Sequence, residues 1–147
     1  MILVDSNVFV MDLRYQRDPL FPVNRAFLDA LALDGSGGTT LFNLLEVAGI
    51  LSFNLNDRQV RELLVHFPRR YRVAVVPAFD RETMLPTMAV HEVLPHILGR
   101  MAFGDALVLA AAERFSQPGS TFVTWDASNF VGKTRLTVVT PQEWLVG

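Results

Sequence analysis

Five short apolar segments, separated by stretches with helical spacing, most constrain what this chain can fold into. The segments do not alternate apolar and polar residues, as strands with one face in water do, so both of their faces are expected to be buried. Strands of this kind, joined by helices, form parallel sheets that are covered on each side. The sequence therefore predicts an α/β fold with a parallel sheet. The predicted strands are 1–4, 39–42, 72–77, 121–124 and 136–139.

The segments between these strands carry apolar residues at the three- and four-residue spacing of a helix. One helix is expected directly after the first strand. Further helices are expected over 23–33, 43–53, 57–67, 80–90 and 104–115, with a closing helical turn at 141–145. Gly35-Ser-Gly-Gly38 is expected to be a surface turn that stops the helix before it. Pro86 and Pro95 interrupt the region after residue 80.

Length and composition indicate one globular domain, residues 1–147, of which half are hydrophobic. The chain has no cysteine, so a bound metal would be held by oxygen or imidazole. No apolar run approaches the roughly 20 residues of a membrane-spanning helix, and the start lacks the basic residues of a signal peptide. A cytoplasmic protein without a membrane partner is therefore expected. The net charge of -2 gives no indication of a nucleic-acid partner.

Four acidic residues are expected at one edge of the sheet. Asp5 ends the first strand, Glu46 lies in the helix after the second, Asp105 opens a helix, and Asp126 follows the fourth strand. The loops beyond the carboxyl ends of parallel strands meet at one edge, where ligands bind. Carboxylates clustered beside apolar segments repel each other and are costly to desolvate unless a cation neutralises them. The pattern therefore predicts a cation site.

The kind of cation follows from the ligand atoms. Mg²⁺ and Mn²⁺ prefer oxygen, and Mg²⁺ takes one or two carboxylates together with water and substrate phosphate. One or two such ions would polarise a phosphoryl oxygen, lower the pKa of an attacking water and hold the leaving oxygen in line. The sequence thus predicts hydrolysis of a phosphodiester, with no covalent enzyme intermediate.

Each acid also has a local structural explanation. Asn43 and Glu46 have the spacing of a capping box. Asp105 would interact favourably with a helix dipole, and Asp126 before Ser128 fits an Asx turn. Capping does not require four acids on one edge of a sheet, so their joint placement favours the metal site.

The segments around these acids resemble, in the same order, the PIN domain, and in particular the VapC-type toxins of prokaryotic toxin–antitoxin pairs. They are Asp5-Ser-Asn-Val-Phe9, Leu45-Glu-Val47, Gly104-Asp-Ala-Leu-Val-Leu-Ala-Ala111 and Thr124-Trp-Asp-Ala-Ser-Asn-Phe130. The resemblance implies a three-layer α/β/α sandwich with a mainly parallel sheet. It also implies a Mg²⁺- or Mn²⁺-dependent endoribonuclease that cuts RNA, often forms a homodimer and is inhibited by a small antitoxin protein.

Carried over by position, the resemblance assigns catalysis and metal binding to Asp5, Glu46, Asp105 and Asp126. Asn7 and Thr124 match polar positions that support the acids. The chain departs from the family in the long 54–103 stretch between the second and third acids. It also has Trp125 where a smaller residue is common; this ring is expected in the core, with stacking on a base as the other interpretation. These departures leave substrate and partner specificity open. Candidates for lining an RNA path are Arg14, Arg17, Arg69, Arg70 and Arg72.

A non-catalytic regulatory domain is the alternative function. It would be either a receiver-like module that binds Mg²⁺ or a degenerate nuclease fold that binds a partner. A receiver needs paired acids after its first strand and a lysine after its last, whereas Ser6 follows Asp5 and Lys133 precedes the last strand. Two other patterns fail as motifs. His91 and His96 are one residue too far apart for a zinc-protease pair, and Ala127 replaces the first glycine of a P-loop before Gly132-Lys-Thr134.

Overall fold

The computed structural model describes residues 1–80 and 82–147. Its strands form one five-stranded sheet in the order β3-β2-β1-β4-β5, and every neighbouring pair is parallel. The strands are β1 (Ile2–Val4), β2 (Gly37–Thr40), β3 (Ala74–Val76), β4 (Thr121–Val123) and β5 (Thr137–Val139). The α/β class and the parallel sheet expected from the sequence are confirmed.

Eight helices lie in the described part of the chain. They are α1 (Ser6–Arg14), α2 (Phe21–Asp34), α3 (Leu41–Ser52), α4 (Asp57–Tyr71), α5 (Val90–Leu98), α6 (Phe103–Phe115), α7 (Ala127–Phe130) and α8 (Pro141–Val146). None of these helices is long and apolar enough to cross a membrane.

Successive residues of the central strands point to opposite faces of the sheet and build two hydrophobic cores. Val4 and Val123 pack with the apolar faces of α1 to α4. Leu3 and Phe122 pack on the other face with α5, α6 and Phe130. Helix α8 joins the first of these layers, since the ring centroids of Trp144 and Phe27 are 5.2 Å apart. The result is a three-layer α/β/α arrangement.

The order of the strands creates a switch point between β1 and β4. From β1 the chain adds β2 and β3 on one side and later β4 and β5 on the other. Val4 is in register with Val123, so Asp5 and Thr124 leave the sheet side by side. Ligands of open α/β sheets bind at such a point. Receiver-type sheets have the order 2-1-3-4-5, so the observed order does not support the receiver-like alternative.

The helix expected over 80–90 is wrong. Arg81 lies outside the described residues, and residues 82–89 contain no helix; α5 begins only at Val90. The Asp80 carboxylate accepts hydrogen bonds from the backbone N–H groups of Glu82 and Thr83, which forms a local turn instead. Pro86 also disfavours helical backbone at the residue before it.

The turn expected at Gly35-Ser-Gly-Gly38 is only partly correct. Gly35 ends α2 in the left-handed conformation, with φ of 75°. Gly37 and Gly38 instead lie buried in β2, so this strand spans 37–40 rather than 39–42, and α3 begins at Leu41. A Cβ at Gly37 would lie 2.9 Å from Leu31 Cγ, so a close approach of α2 to the sheet explains this glycine.

Candidate metal centre

A pocket of about 320 Å³ opens at the carboxyl edge of the sheet, and all four predicted acids line it. Four separate elements supply them. Asp5 follows β1, Glu46 lies on α3, Asp105 lies in the first turn of α6, and Asp126 follows β4. The remaining lining residues are Ser6, Asn7, Val10, Met11, Tyr15, Ile50 and Phe130. The structure therefore brings together the four acids that the sequence placed at this edge.

Asp5 is the most enclosed of the four acids, with 8% of its surface exposed. Its Oδ1 accepts hydrogen bonds from the backbone N–H of Ser6 (2.8 Å) and from Asn43 Nδ2 (3.0 Å), and its Oδ2 accepts one from Thr124 Oγ1 (2.7 Å). Burial raises the pKa of Asp5 to about 6, against the lowering effect of the bonds from Thr124 and Ser6. The charges of Glu46 and Asp105 contribute smaller parts of this rise. The position of this carboxylate is thus set by three donors, none of which carries a positive charge.

The supporting positions expected from the resemblance form a chain of contacts to Asp5. Thr124 Oγ1, besides donating to Asp5, accepts hydrogen bonds from Asn7 Nδ2 (2.9 Å) and from the backbone N–H of Asp126 (3.1 Å). Asn7 Oδ1 accepts the backbone N–H of Trp125 at 3.2 Å. Asn7 therefore contacts Asp5 through Thr124 and holds the end of β4 against the start of α1.

Ser6 and Asn43 are site residues that the sequence analysis did not select. Asn43 Nδ2 donates to Asp5 Oδ1 and to Ser6 Oγ, and Ser6 Oγ donates to the Glu46 carboxylate. Only 1% of Asn43 is exposed. These side chains connect the first and second acids by hydrogen bonds. Sequence spacing could have identified both residues, because Ser6 adjoins Asp5 and Asn43 lies about one helical turn before Glu46.

The capping box expected for Asn43 and Glu46 is wrong. The cap of α3 is Thr40, whose Oγ1 accepts the backbone N–H of Asn43 at 3.1 Å. Glu46 therefore lies in the second turn of the helix, where it caps nothing. Helix capping therefore does not explain why Glu46 lies on the wall of the pocket.

Asp105, which is partly buried, and Asp126 complete the set of acids that line the pocket. Burial raises the pKa of Asp105, and the charges of Glu46 and Asp126 raise it further. Asp126 is exposed, and its side chain makes no capping hydrogen bond to the backbone of α7, so the Asx turn is not present. Its Oδ2 accepts a bond from Asn129 Nδ2 at 2.5 Å. The acids thus act on one another electrostatically across the pocket.

The donor set fits a hard divalent cation. The pocket offers carboxylate oxygens without imidazole or thiolate, which favours Mg²⁺ or Mn²⁺ over zinc. Within residues 1–80 and 82–147, no three or more acidic or histidine side chains lie together so that they could hold a metal ion by themselves. Mg²⁺ needs only one or two direct carboxylates, because waters and substrate phosphate supply its other ligands. An open set of repelling acids is consistent with that requirement.

The side chains near other motifs have structural roles. Trp125 packs against the first core and its Nε1 donates to Asn24 Oδ1 at 2.7 Å, as expected for a core residue rather than a free stacking platform. His96 is buried on α5, with its Nε2 3.1 Å from Glu113 Oε2, whereas His91 is exposed. The two histidines therefore do not form a metal pair.

No family model and no curated protein matches the sequence. Two solved structures are similar in fold. A chain in the structure of FitAB bound to an IR36 DNA fragment has a TM-score of 0.60 and 20% identity, over 97% of this chain and 96% of that one. A chain in VapBC2 from Rickettsia felis, bound to a DNA fragment from their promoter, has a TM-score of 0.63 and 18% identity, over 95% of this chain and 98% of that one. The resemblance to a VapC-type PIN domain is thus confirmed as a likeness of fold.

Proposed function

We propose that this chain is an endoribonuclease that uses Mg²⁺ or Mn²⁺ to hydrolyse phosphodiester bonds of RNA. One observation carries the proposal: four carboxylates from four separate elements line a single pocket at the switch point of a parallel sheet. Among the four acids, helix capping explains the position of Asp5 only, whose side chain accepts the N–H of Ser6 at the start of α1. The PIN-like fold supports RNA as the substrate class.

The residues differ in what each would do for the ion. Asp5, fixed by three donors, is the anchoring ligand. Glu46 is oriented by Ser6, and Glu46, Asp105 and Asp126 would hold the ion or its waters. The bound metal would supply Lewis-acid stabilisation of the phosphoryl oxygens and a lowered pKa for the attacking water. Thr124, Asn7, Ser6 and Asn43 would keep the ligands in place by their hydrogen bonds.

The reaction is a direct hydrolysis. Water oxygen attacks phosphorus, the bond from phosphorus to one ribose oxygen breaks, and a proton goes to the leaving oxygen. The products are one RNA end with a linear phosphate and one with a hydroxyl. Asp5 stays hydrogen bonded throughout and is a ligand rather than a nucleophile, so no covalent enzyme intermediate forms.

A cleavage assay with purified protein and end-labelled RNA tests this function. We expect cleavage with Mg²⁺ or Mn²⁺, none with EDTA, and a rate reduced by roughly 100-fold or more in Asp5→Asn, since even residues that only orient ligands contribute 10- to 100-fold. Asp57→Asn is the matched control, because Asp57 is an exposed acid on α4 outside the pocket. Equal rates for Asp5→Asn and wild type would refute the assignment.

We further propose that the enzyme is the toxin of a toxin–antitoxin pair, that a small antitoxin protein inhibits it, and that it forms a homodimer in the cytoplasm. The resemblance to VapC-type toxins supports these roles, as does the fold shared with chains of FitAB and VapBC2. Expression of the chain alone should arrest growth, whereas Asp5→Asn should not. Coexpression of the small protein encoded beside it should restore growth. Light scattering should give twice the chain mass of 16.4 kDa.

A degenerate nuclease fold that binds a partner without cutting RNA is the second candidate. It is favoured because no three or more acidic or histidine side chains of the described residues are placed to hold a metal ion by themselves. A folded protein that binds Mn²⁺ yet leaves transfer, ribosomal and messenger RNA intact would support this candidate instead.

A further inference from the structure

A second surface pocket adjoins the acid pocket, and Tyr15 lines both of them. The second pocket has a volume of about 610 Å³ and is formed by consecutive residues at the end of α1: Leu13, Arg14, Tyr15, Gln16, Arg17 and Asp18. Helix α1 begins directly after Asp5 and ends at Arg14. One rigid helix therefore positions the anchoring acid at its first end and this second pocket at its other end.

The ring of Tyr15 is available to a ligand. The residue is 49% exposed, whereas the other tyrosine, Tyr71, is 3% exposed and donates its hydroxyl to Asp12. The Arg14 guanidinium lies 5.7 Å from the centre of the Tyr15 ring. Two planar groups thus lie together at the edge of the acid pocket, and planar groups of this kind stack on nucleobases.

Arg14 and Arg17 supply positive charge that no carboxylate of the described residues neutralises. Both are exposed, and no carboxylate in the described part of the chain lies within 4.0 Å of either guanidinium. Arg25, Arg58 and Arg114, in contrast, each have an acidic partner. Two cations without a carboxylate partner among the described residues, beside an acidic pocket in a chain of net charge -2, are suited to phosphates that continue away from the acids.

The backbone of this segment is held in a defined shape. The N–H of Asp18 donates to the Tyr15 carbonyl at 3.0 Å, and the N–H of Phe21 donates to the Asp18 carbonyl at 3.0 Å. The Asp18 carboxylate accepts the N–H of Leu20 at 2.8 Å. These turns fix the spacing of the aromatic ring and the two arginines.

We propose that residues 13–18 are a nucleotide-binding subsite for single-stranded RNA. The ring of Tyr15 stacks on a base next to the bond that is cut, and Arg14 and Arg17 contact the flanking phosphates. Single-stranded RNA is required, because a base inside a duplex does not offer its face for stacking. The subsite deepens the proposed nuclease function and rests on it for the identity of the substrate.

Binding of a short, fluorescently labelled single-stranded RNA tests the stacking role, measured by anisotropy in an Asp5→Asn background that does not cut it. Tyr15→Ala should weaken binding by roughly 5- to 140-fold, the range for loss of one stacked base. Tyr15→Phe keeps the ring and should bind as tightly as the background protein. Phe53→Ala removes an exposed aromatic residue outside both pockets and should have no effect. Unchanged binding by Tyr15→Ala, or an equal loss in Tyr15→Phe, would overturn stacking.

An abasic scan of the same RNA identifies the contact as a base contact. Removing one base at a time should weaken binding at one or two positions, and Tyr15→Ala should erase this dependence. A dependence that persists in Tyr15→Ala would place the base elsewhere and overturn the proposal.

Salt dependence tests the arginines. Arg14→Gln and Arg17→Gln should each reduce the slope of log affinity against log salt by about 0.7, the value for one phosphate of a single strand. Arg58→Gln, which removes an exposed arginine paired with Glu62, should leave the slope unchanged. Equal slopes for all three variants would remove Arg14 and Arg17 from the subsite.

Cleavage by the otherwise unaltered enzyme separates failure of the subsite from failure of the nuclease function. Full activity in Tyr15→Ala, with activity lost in Asp5→Asn, would overturn the subsite and leave the nuclease intact. No cleavage by the wild-type chain, together with RNA binding that still depends on Tyr15, would support the subsite and reject the nuclease. Because Tyr15 is half exposed, Tyr15→Ala should melt close to wild type, which confirms that the variant is folded.

Discussion

Asn43 links Asp5 and, through Ser6, the exposed Glu46 by hydrogen bonds. Its amide donates to Asp5 Oδ1 at 3.0 Å and to Ser6 Oγ at 2.9 Å, and its Oδ1 accepts the Thr40 hydroxyl at 2.7 Å. The amide group is required here because it can donate to a carboxylate on one side and accept from a hydroxyl on the other. A carboxylate of the same shape would keep only the accepting role.

Replacing Asn43 by aspartate should therefore destabilise the metal-free protein by about 1–3 kcal/mol. The change removes two donated hydrogen bonds and sets a second buried charge against Asp5. Urea unfolding in EDTA measures the effect. Asn54→Asp makes the same chemical change at an exposed position and should stay near wild type. Equal stabilities for the two variants would show that the amide bonds are not important.

Asp5 should make the stability of the metal-free protein depend on pH. Its pKa is about 6 in the folded chain and 3.8 in the unfolded reference, so the folded state favours the protonated acid. The stability associated with this proton is present in full below pH 3.8 and is lost as the pH rises to 6 and beyond. Two pKa units correspond to about 3 kcal/mol.

The comparison is between wild type and Asp5→Asn, unfolded by urea in EDTA at pH 4 and pH 7. Wild type should lose about 2.4 kcal/mol more than the variant between these pH values, since part of the full effect lies below pH 4. Other titrating groups, Asp105 among them, are present in both proteins and largely cancel. Parallel losses in the two proteins would contradict the raised pKa.

At the scale of elements, the sequence predicted those features that depend on local periodicity. The helices around Glu46 and Asp105 and the strands around Asp5 and Asp126 were located correctly, because apolar spacing decides them. The burial of Gly37 and Gly38 in β2 was missed, since glycine strands have no side-chain pattern and the signal of a turn is stronger. Helix α7 was also missed, as four residues are too few to show a helical period.

Replacement by alanine should change the stability of the protein in opposite directions at a buried glycine and at an exposed one. At Gly37 a Cβ would lie 2.9 Å from Leu31 Cγ and 3.0 Å from Val73 Cγ1, both in the buried core. Gly37→Ala should therefore destabilise the fold by about 1–3 kcal/mol through overpacking. Thermal and urea unfolding measure the change.

Gly49→Ala is the matched control at an exposed position of α3, where a Cβ meets no atom of the described residues within 4 Å. This variant should be more stable than wild type by about 0.5–1 kcal/mol, because alanine has less unfolded-state entropy to lose in a helix. Destabilisation of similar size in both variants would contradict the close approach of α2 to the sheet.

At the scale of the whole molecule, the site is a consequence of topology. Parallel strands place all their carboxyl ends at one edge, so acids far apart in the sequence meet there, and this could be predicted. The contacts of Ser6, Asn43 and Tyr15 could not, because they depend on how α1 and α3 pack against each other across the switch point. The negative charges of the four acids are distributed over four elements. A bound cation would therefore hold these elements together and stabilise the fold.

Metal binding should accordingly stabilise the protein against unfolding. At a Mn²⁺ or Mg²⁺ concentration 100 times the dissociation constant, the free energy of unfolding should rise by about 2.7 kcal/mol. Melting followed by circular dichroism should show the rise, and EDTA should reverse it. Asp5→Asn should show little of it. A melting temperature that does not respond to either metal in wild type would count against the site.

The most direct test of the central claim is the chemistry of the RNA ends, measured by mass spectrometry after brief cleavage with Mn²⁺ in ¹⁸O-labelled water. We expect each cut to leave a linear phosphate carrying one ¹⁸O and a free hydroxyl, and Asp5→Asn to leave the RNA intact. A 2′,3′-cyclic phosphate as the first product, or the same fragments from Asp5→Asn, would contradict hydrolysis by water in the pocket of four acids.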